Sequence, residues 1–550
     1  MKSFFILNKL RKIKKEKVLL LGIFFLSLFL RCWRLKSLPW GFHGDEVMNG
    51  YVGRFILLNG KDLYGNHWPV FYFNRFGDYP NVIPMYFSGF FTFIFGVNEF
   101  AVRFPSAFFG ALAIFPFYFL SLKIFKKQKA ALFSSFLLSI LPWHLVLSRA
   151  TSEGILGLTF FSVSLWGAIE GFEEKNYKII LLSLFGFLLT YFLYPSFRIF
   201  TPLALFGLVW VLKSKNQKLF LFSISVLFIL ITFLISRTYW GQGRFRQTSL
   251  FYSEEVSSRI KANLEALSFD YGGGKIIRAR IFHNKIIAYA REFLTQYLSY
   301  FSPKFLFLEG GLPHRYVVPY QGVLFIFCFL FFLTAFFPPK TIIDKDLFIF
   351  FLYLLLISPL AAALTVDDVP NVHRAVPMIL PLVIVISYGF LNITDYYPKI
   401  KWLLVILIIG EFSYFWNQYS IHTASFRSYL RDDGSRELIL KLKREEDKYE
   451  QIFLPTYGTL PLYYLFYNNN FSGELAGKFK TGIEIDKIGK YFFVKDWCPS
   501  KVLPMKEMRG KILVVDQGDC SSNLGLLKTV EEIIRKDSTK AYRLLVSNED

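Results

Sequence analysis

Asp45 and Glu46 stand side by side in the polar island Gly41-Phe42-His43-Gly44-Asp45-Glu46 of a chain that is otherwise strongly apolar. Charge placed this near a bilayer is rare without a use for it. The pair opens a segment, 47–56, with apolar residues at i, i+3 and i+4, and Gly60 is suited to cap its C-terminus. In the first turn of a helix the dipole holds carboxylates as anions, so the pair points to chemistry at a membrane surface. Simple N-terminal capping of a surface helix is the other reading these residues allow.

Further charged groups gather where apolar runs end. Ser148-Arg149-Ala150-Thr151-Ser152-Glu153 carries Arg149 and Glu153, which by themselves read as interfacial residues or an i,i+4 ion pair. Thr365-Val366-Asp367-Asp368-Val369-Pro370-Asn371-Val372-His373-Arg374-Ala375 ends on His373 and Arg374. An arginine there offers phosphate a bidentate fork, or simply snorkels to water. Tyr194-Pro195-Ser196-Phe197-Arg198 reads first as a snorkelling terminus, and Pro303-Lys304 and Pro313-His314-Arg315 could likewise face phosphate. The seven histidines show no HExxH pair or metal spacing. His43 and His67 share a loop with several carboxylates and read as structural.

The elements that must carry these groups are membrane spans. Of 550 residues 53% are hydrophobic and 66 are Phe. Many apolar runs of roughly 17–22 residues are long enough to cross a ~30 Å hydrocarbon core, and they lack the alternation of barrel strands. The run 18–30 follows a basic stretch and also resembles a signal peptide. No small-residue cleavage site follows it, so it reads as an uncleaved span. Expected spans are 18–34, 100–122, 130–147, 154–172, 178–195, 197–213, 218–236, 321–337, 347–364, 374–393 and 402–416. Short basic loops between them would be cytoplasmic, which puts the C-terminus outside. The net charge of +22 is largely such loop charge, and nucleic-acid binding is set aside. Segment 82–97 breaks the charge pattern if it crosses, so it reads as an interfacial or re-entrant helix on the outer face. The domains are then 1–416, with outer loops 36–99 and 237–320, and 417–550.

Composition changes in 417–550. Helices are expected over 435–446 and 524–535, and strands over 451–454, 491–494, 512–515 and 542–546, a small α/β domain. Cys498 and Cys520 fall within it, where a disulfide is permitted; buried free thiols are the competing reading. Tyr271-Gly272-Gly273-Gly274-Lys275 lacks P-loop spacing and reads as a turn.

The succession Pro39-Trp40-Gly41-Phe42-His43-Gly44-Asp45-Glu46, Gly60-Lys61-Asp62-Leu63-Tyr64-Gly65, Phe76-Gly77-Asp78-Tyr79 and Asn98-Glu99-Phe100-Ala101-Val102-Arg103-Phe104-Pro105-Ser106-Ala107 carries a family resemblance. It resembles the bacterial and archaeal relatives of dolichyl-phosphate-mannose–protein mannosyltransferases and the lipid A aminoarabinose transferases. These are GT-C glycosyltransferases that use polyprenyl-phosphate sugars. The resemblance is strongest over 30–200, weaker to 395, and owes little to the C-terminal domain. It implies an α-helical polytopic membrane protein, GT-C-like, with about 11 transmembrane helices and a small extracytoplasmic C-terminal α/β domain, set in the inner (cytoplasmic) membrane. By that resemblance Asp45 is the catalytic base with Glu46 beside it, and Glu153 is a second acidic residue. Donor phosphate would fall to Arg374, with His373, Arg149, Arg198 and Lys304, and substrate binding to Asp78, His43 and Tyr194. Partners would be a polyprenyl-phosphate-linked sugar, a glycan, lipid or protein acceptor, and membrane lipids. No cofactor is assigned, and a divalent metal stays open because related enzymes differ.

The expected activity is therefore inverting transfer of a sugar to an acceptor hydroxyl on the outer face. The alternative is a lipid or polysaccharide transporter or flippase of envelope biogenesis. Such proteins place charge at the midplane of broken helices, often in repeats. Here the charge collects at span ends and no internal repeat is evident. A non-catalytic envelope scaffold would not require the set Asp45, Glu153 and Arg374.

Overall fold

The computed structural model describes residues 2–75, 78–269, 281, 284–337, 343–456, 459–503, 510–521 and 527–547. The glycine run 272–274 lies outside them. The chain divides into two compact units: Met1–Leu30, Phe109–Leu147 and Ser152–Phe415 form the first, and Arg31–Phe108, Ser148–Thr151 and Trp416–Asp550 the second.

The first unit is helical. Across the chain, six described helices are long and apolar enough to cross a membrane: Glu99–Phe125, Glu153–Glu174, Lys215–Arg237, Lys345–Ala363, Val376–Tyr396 and Pro398–Ser425. A seventh crossing is available if Gln128–Ile140 and Pro142–Ser148, bent by 52° at Pro142, count as one. Tyr177–Leu193 and Phe197–Val211 are shorter apolar helices. Segment 321–337 contains only the eight-residue helix Phe327–Thr334, about 12 Å long. Residues 321–325 before it are non-helical and buried. Their amides find carbonyls nonetheless: Val323 and Leu324 donate to Phe305 and Leu306 at 3.3 and 2.7 Å. Non-helical backbone at membrane depth needs this enclosure. Val376–Tyr396 is almost wholly buried, and at Gly389 a Cβ would sit 1.6 Å from the Phe331 carbonyl oxygen, so only glycine lets the two helices touch. Lys215–Arg237 instead exposes Leu219, Phe222, Leu230, Phe233 and Leu234, an apolar surface that suits lipid.

The second unit is built on a six-stranded sheet of β1 (Gln451–Pro455), β2 (Lys487–Ile488), β3 (Tyr491–Val494), β4 (Ile512–Gln517), β5 (Leu527–Ile534) and β6 (Lys540–Ser547). Strand order is β2-β3-β1-β4-β6-β5, with β3, β1 and β4 parallel and the other neighbours antiparallel. The helix expected over 435–446 is present as Ser435–Glu445. Of the helix expected over 524–535, residues 524–526 lie outside the described residues and 527–534 is strand β5, which pairs with β6 through a turn at 535–539 where Ser538 has φ 67°. Its Thr529, Val530, Ile533 and Ile534 are β-branched, and hairpin pairing overrides the helical spacing of its apolar residues. Leu460–Tyr467 is a further helix, between β1 and β3.

The first loop belongs to this unit. Helix Gly44–Asn59 ends on Gly60, which adopts the left-handed conformation at φ 66°. Its buried Val47, Met48, Tyr51, Phe55 and Ile56 share one core with Leu438, Leu454, Phe466, Phe493 and Val515. Ile83–Phe95 crosses it closely: a Cβ on Gly53 would meet the Met85 carbonyl oxygen at 1.8 Å. Ile83–Phe95 has 13 residues, about 20 Å, too short for a ~30 Å core, and it leaves Phe90, Phe93 and Ile94 exposed. Glu99 ties the helices of the unit together, meeting Arg436 at 3.3 Å and the Tyr467 hydroxyl at 2.8 Å.

Candidate active site

His43 is the N-cap of Gly44–Asn59. Its ring accepts the Asp45 amide at 3.1 Å, while its own amide donates to Glu46 at 3.0 Å, a capping box. The same turn sends its two carboxylates to different surroundings. Glu46 is 2% exposed. Arg103 donates to both its oxygens, at 2.9 and 3.0 Å, Arg431 at 2.7 Å and the Thr151 amide at 3.3 Å. Burial pushes its pKa up, but the guanidiniums of Arg103 and Arg431 outweigh it and hold the carboxyl at about 2. A carboxylate with both oxygens saturated and so weak a proton affinity makes a strut rather than a base. Arg103 also donates to the carbonyls of Leu35, Pro39 and Gly41, so the charge cluster pins the whole approach to the helix.

Asp45, by contrast, is about a quarter exposed. It pairs with Arg75, which also donates to Asp78 at 2.9 Å. The Asp45 carboxylate, above all, raises the Arg75 pKa, so the guanidinium stays charged. His43 Nδ1 lies 3.4 Å from Asp45. Asp45, Asp78 and His43, all expected to be at the site, therefore sit together around an arginine whose one signal in the sequence is its spacing three residues before Asp78.

A second cluster forms in the helical unit. His373 Nε2 lies 3.7 Å from Glu153 and 2.8 Å from the Ser152 hydroxyl. Its ring packs at 4.6 Å on Tyr194 and 5.6 Å on Tyr316. A Cβ on Gly154 would come within 3.2 Å of it, so glycine permits the approach. Next to this cluster is a cavity of about 320 Å³ lined by Tyr194, Arg198, Arg244 and Arg374 and by apolar groups that include Ile199, Ile235, Phe245 and Leu364. Among the described residues, three guanidiniums and no carboxylate line it. Arg198 is held by the Tyr191 carbonyl at 3.1 Å and lies over the Trp240 ring at 5.2 Å. Arg374 donates to the Asp367 carbonyl at 2.9 Å, with the Asp367 carboxylate at 3.5 Å. Arg244 was not singled out by the sequence; it lies in the basic second loop, and only the fold distinguishes it from Arg246 nearby.

Two residues expected at donor phosphate, Arg149 and Lys304, are not among those lining this cavity. Arg149 is fully buried in the second unit, where it donates to the carbonyls of Trp33 (2.6 Å) and Leu38 (3.2 Å) and to the Tyr419 hydroxyl (3.2 Å). Its guanidinium holds protein segments together. Lys304 is exposed, pairs with Glu309 at 3.1 Å, and does not line the cavity. Among the described residues no group of three or more His, Cys, Asp or Glu side chains is placed to hold a metal ion.

The family model of dolichyl-phosphate-mannose-protein mannosyltransferases matches residues 78–240. ArnT from Cupriavidus metallidurans bound to undecaprenyl phosphate is similar in structure, with a TM-score of 0.50 at 12% identity over 97% of this chain and 99% of that one. The apo state of ArnT gives 0.47 at 12%, over 99% and 100%. The archaeal oligosaccharyltransferase AglB from Archaeoglobus fulgidus, in complex with an inhibitory peptide and a dolichol-phosphate, gives 0.44 at 14%, over 83% of this chain and 64% of AglB, so the chain spans under two thirds of AglB's length. No curated protein matches the chain by sequence. The fold is that of the GT-C membrane glycosyltransferases. Within that class residues 78–240 resemble the dolichyl-phosphate-mannose-protein mannosyltransferases.

Proposed function

We propose that the chain is an integral-membrane inverting glycosyltransferase that moves a sugar from a polyprenyl-phosphate donor to an acceptor hydroxyl on the outer face of the membrane. The observation that carries this reading is the cavity with Arg198, Arg244 and Arg374 on otherwise apolar walls. A polyprenyl phosphate is the matching ligand, since its anionic head suits guanidiniums and its tail suits the apolar lining. ArnT, similar in fold, was solved with undecaprenyl phosphate bound.

In this reading Asp45 takes the proton of the acceptor hydroxyl while that oxygen attacks the anomeric carbon. The bond from that carbon to the phosphate oxygen breaks on the opposite face, so the configuration inverts. Polyprenyl phosphate leaves with the electron pair, and Arg198, Arg244 and Arg374 stabilise the growing charge. Glu153, fixed beside His373, is the second acidic residue of the site. Glu46 holds the loop that presents Asp45.

The proposal includes eleven crossings, with 321–337 crossing as a buried non-helical stretch and a short helix, and 82–97 and 417–550 outside the inner membrane. It also treats 1–416 as the transfer domain and 417–550 as the extracytoplasmic domain. The test is transfer from polyprenyl-phosphate sugars by the purified chain in detergent. Asp45→Asn should fold and lose about 10²-fold or more of the rate, the scale of general-base catalysis. A folded Asp45→Asn with wild-type transfer would remove Asp45 from the mechanism. Failure of the wild-type chain with every hexosyl and pentosyl donor would remove the function.

A further inference from the structure

The sheet-bearing unit contains a cavity of about 250 Å³, and Asp45 and Arg75 stand in its wall. That is space for a small polar ligand of the size of one sugar ring. His43 and Gly44 stand beside them, and the C-terminal part of the chain contributes Asp432, Ser435, Tyr463, Trp497, Gln517 and Tyr542 among others.

These groups are preset by their own contacts. The Asp432 carboxylate accepts from the Gly44 amide at 2.7 Å and from the Tyr463 hydroxyl at 3.2 Å. Ser435 and Tyr542 share a hydrogen bond of 2.9 Å between hydroxyls. The Trp497 backbone carbonyl accepts the Gln517 amide at 3.0 Å, and the next residue, Cys498, is joined to Cys520. The loop is thereby stapled to the end of β4, yet the Trp497 side chain remains 45% exposed. A large aromatic left half in water at the edge of a polar cavity is a surface for stacking.

The chemistry of the lining selects among ligands. Hydroxyls would find carboxylate, amide and hydroxyl acceptors, and the carbon face of a ring would find an indole and two phenols. An anionic ligand would meet two carboxylates, with an arginine already shared between Asp45 and Asp78. We propose that this cavity receives the terminal sugar of a glycan acceptor, its ring against Trp497 and one hydroxyl toward Asp45. The inference deepens the reading of Asp45 as the base, and rests on it for the direction of the hydroxyl.

Saturation-transfer NMR on the full chain in detergent tests it. The probes are the methyl glycosides of mannose, glucose, galactose and N-acetylglucosamine, with acetyl-serine-amide as the peptide counterpart. At least one glycoside should receive saturation. Trp497→Ala should weaken that binding about tenfold, the scale of one aromatic contact with its buried area. Trp497→Phe should keep most of it, which separates stacking from misfolding. The inference falls if no glycoside receives saturation, if acetyl-serine-amide alone does, or if Trp497→Ala binds as wild type. Binding of undecaprenyl phosphate is read separately by native mass spectrometry. Loss of that binding in Arg374→Ala, with glycoside binding retained, is expected. A wild-type chain that binds a glycoside but no polyprenyl phosphate would overturn the proposed function and leave this cavity as a sugar site.

Discussion

Glu46 and Arg431, 385 positions apart in the chain, meet at 2.7 Å with side chains 2% and 9% exposed. With Arg103 they form a buried charge cluster in which one carboxylate serves two guanidiniums. Such a cluster is costly to assemble, and removing one partner strands the others.

Glu46→Gln should therefore destabilise the sheet-bearing unit by about 3–5 kcal/mol, the usual cost of breaking a buried pair. The pH dependence has a definite sign. The folded pKa of about 2 lies below the ordinary 4.5. The stabilisation is thus complete above about 4.5 and is lost as pH falls toward 2; it amounts to about 3 kcal/mol, at 1.36 kcal/mol per unit. Thermal unfolding followed from pH 6 to pH 3 should fall more steeply for the wild type than for Glu46→Gln. Parallel curves would assign the acid sensitivity to another group.

Arg374→Lys keeps the charge at the phosphate cavity and loses the fork. Donor binding and turnover should drop by about 1.5–3 kcal/mol, the value of a hydrogen bond to a charged group. Arg244→Gln should fall in the same range if the three guanidiniums share the phosphate. Titration with undecaprenyl phosphate checks both; an Arg244→Gln affinity equal to wild type would take Arg244 out of the site.

Cys498 and Cys520 are bonded across a separation of 22 residues. Replacing both by Ser should lower the stability of the sheet-bearing unit by about 2–4 kcal/mol. Hydrogen exchange should quicken first in the strands flanking the loop, 491–494 and 512–517. Unchanged exchange and melting under reductant would show that the loop is held by its hydrogen bonds alone.

Single cysteines at Lys126 and Ser547, in a chain whose native cysteines are replaced, test the proposed topology. An impermeant thiol reagent on intact cells should label position 547 and spare 126. The reverse pattern would invert the arrangement and place the sheet on the cytoplasmic side.

What the sequence determined alone was whatever short-range forces decide. The helix after His43 and its stop at Gly60 follow from dipole, cap and apolar spacing within sixteen residues. Ser435–Glu445 follows from its periodicity, and the apolar helices follow from their length. The order of polar islands in the first loop was enough for the family resemblance. Tertiary structure decided the rest. Asp45 and Glu46 are neighbours with the same chemistry, and only the approach of Arg103 and Arg431 makes one a buried strut while the other keeps contact with solvent. Residues 527–534 carry helical spacing and became a strand because β6 offered an antiparallel partner from Leu527 to Ile534, with two register irregularities. The meeting of Arg244 with Arg198, 46 positions apart, was out of reach, and for Cys498 and Cys520 the sequence offered both a disulfide and buried free thiols, between which only the folded chain decides. Local propensity is worth tenths of a kcal/mol per residue, whereas stranding one partner of a buried ion pair costs about 3–5 kcal/mol; where the two compete, the distant partner decides.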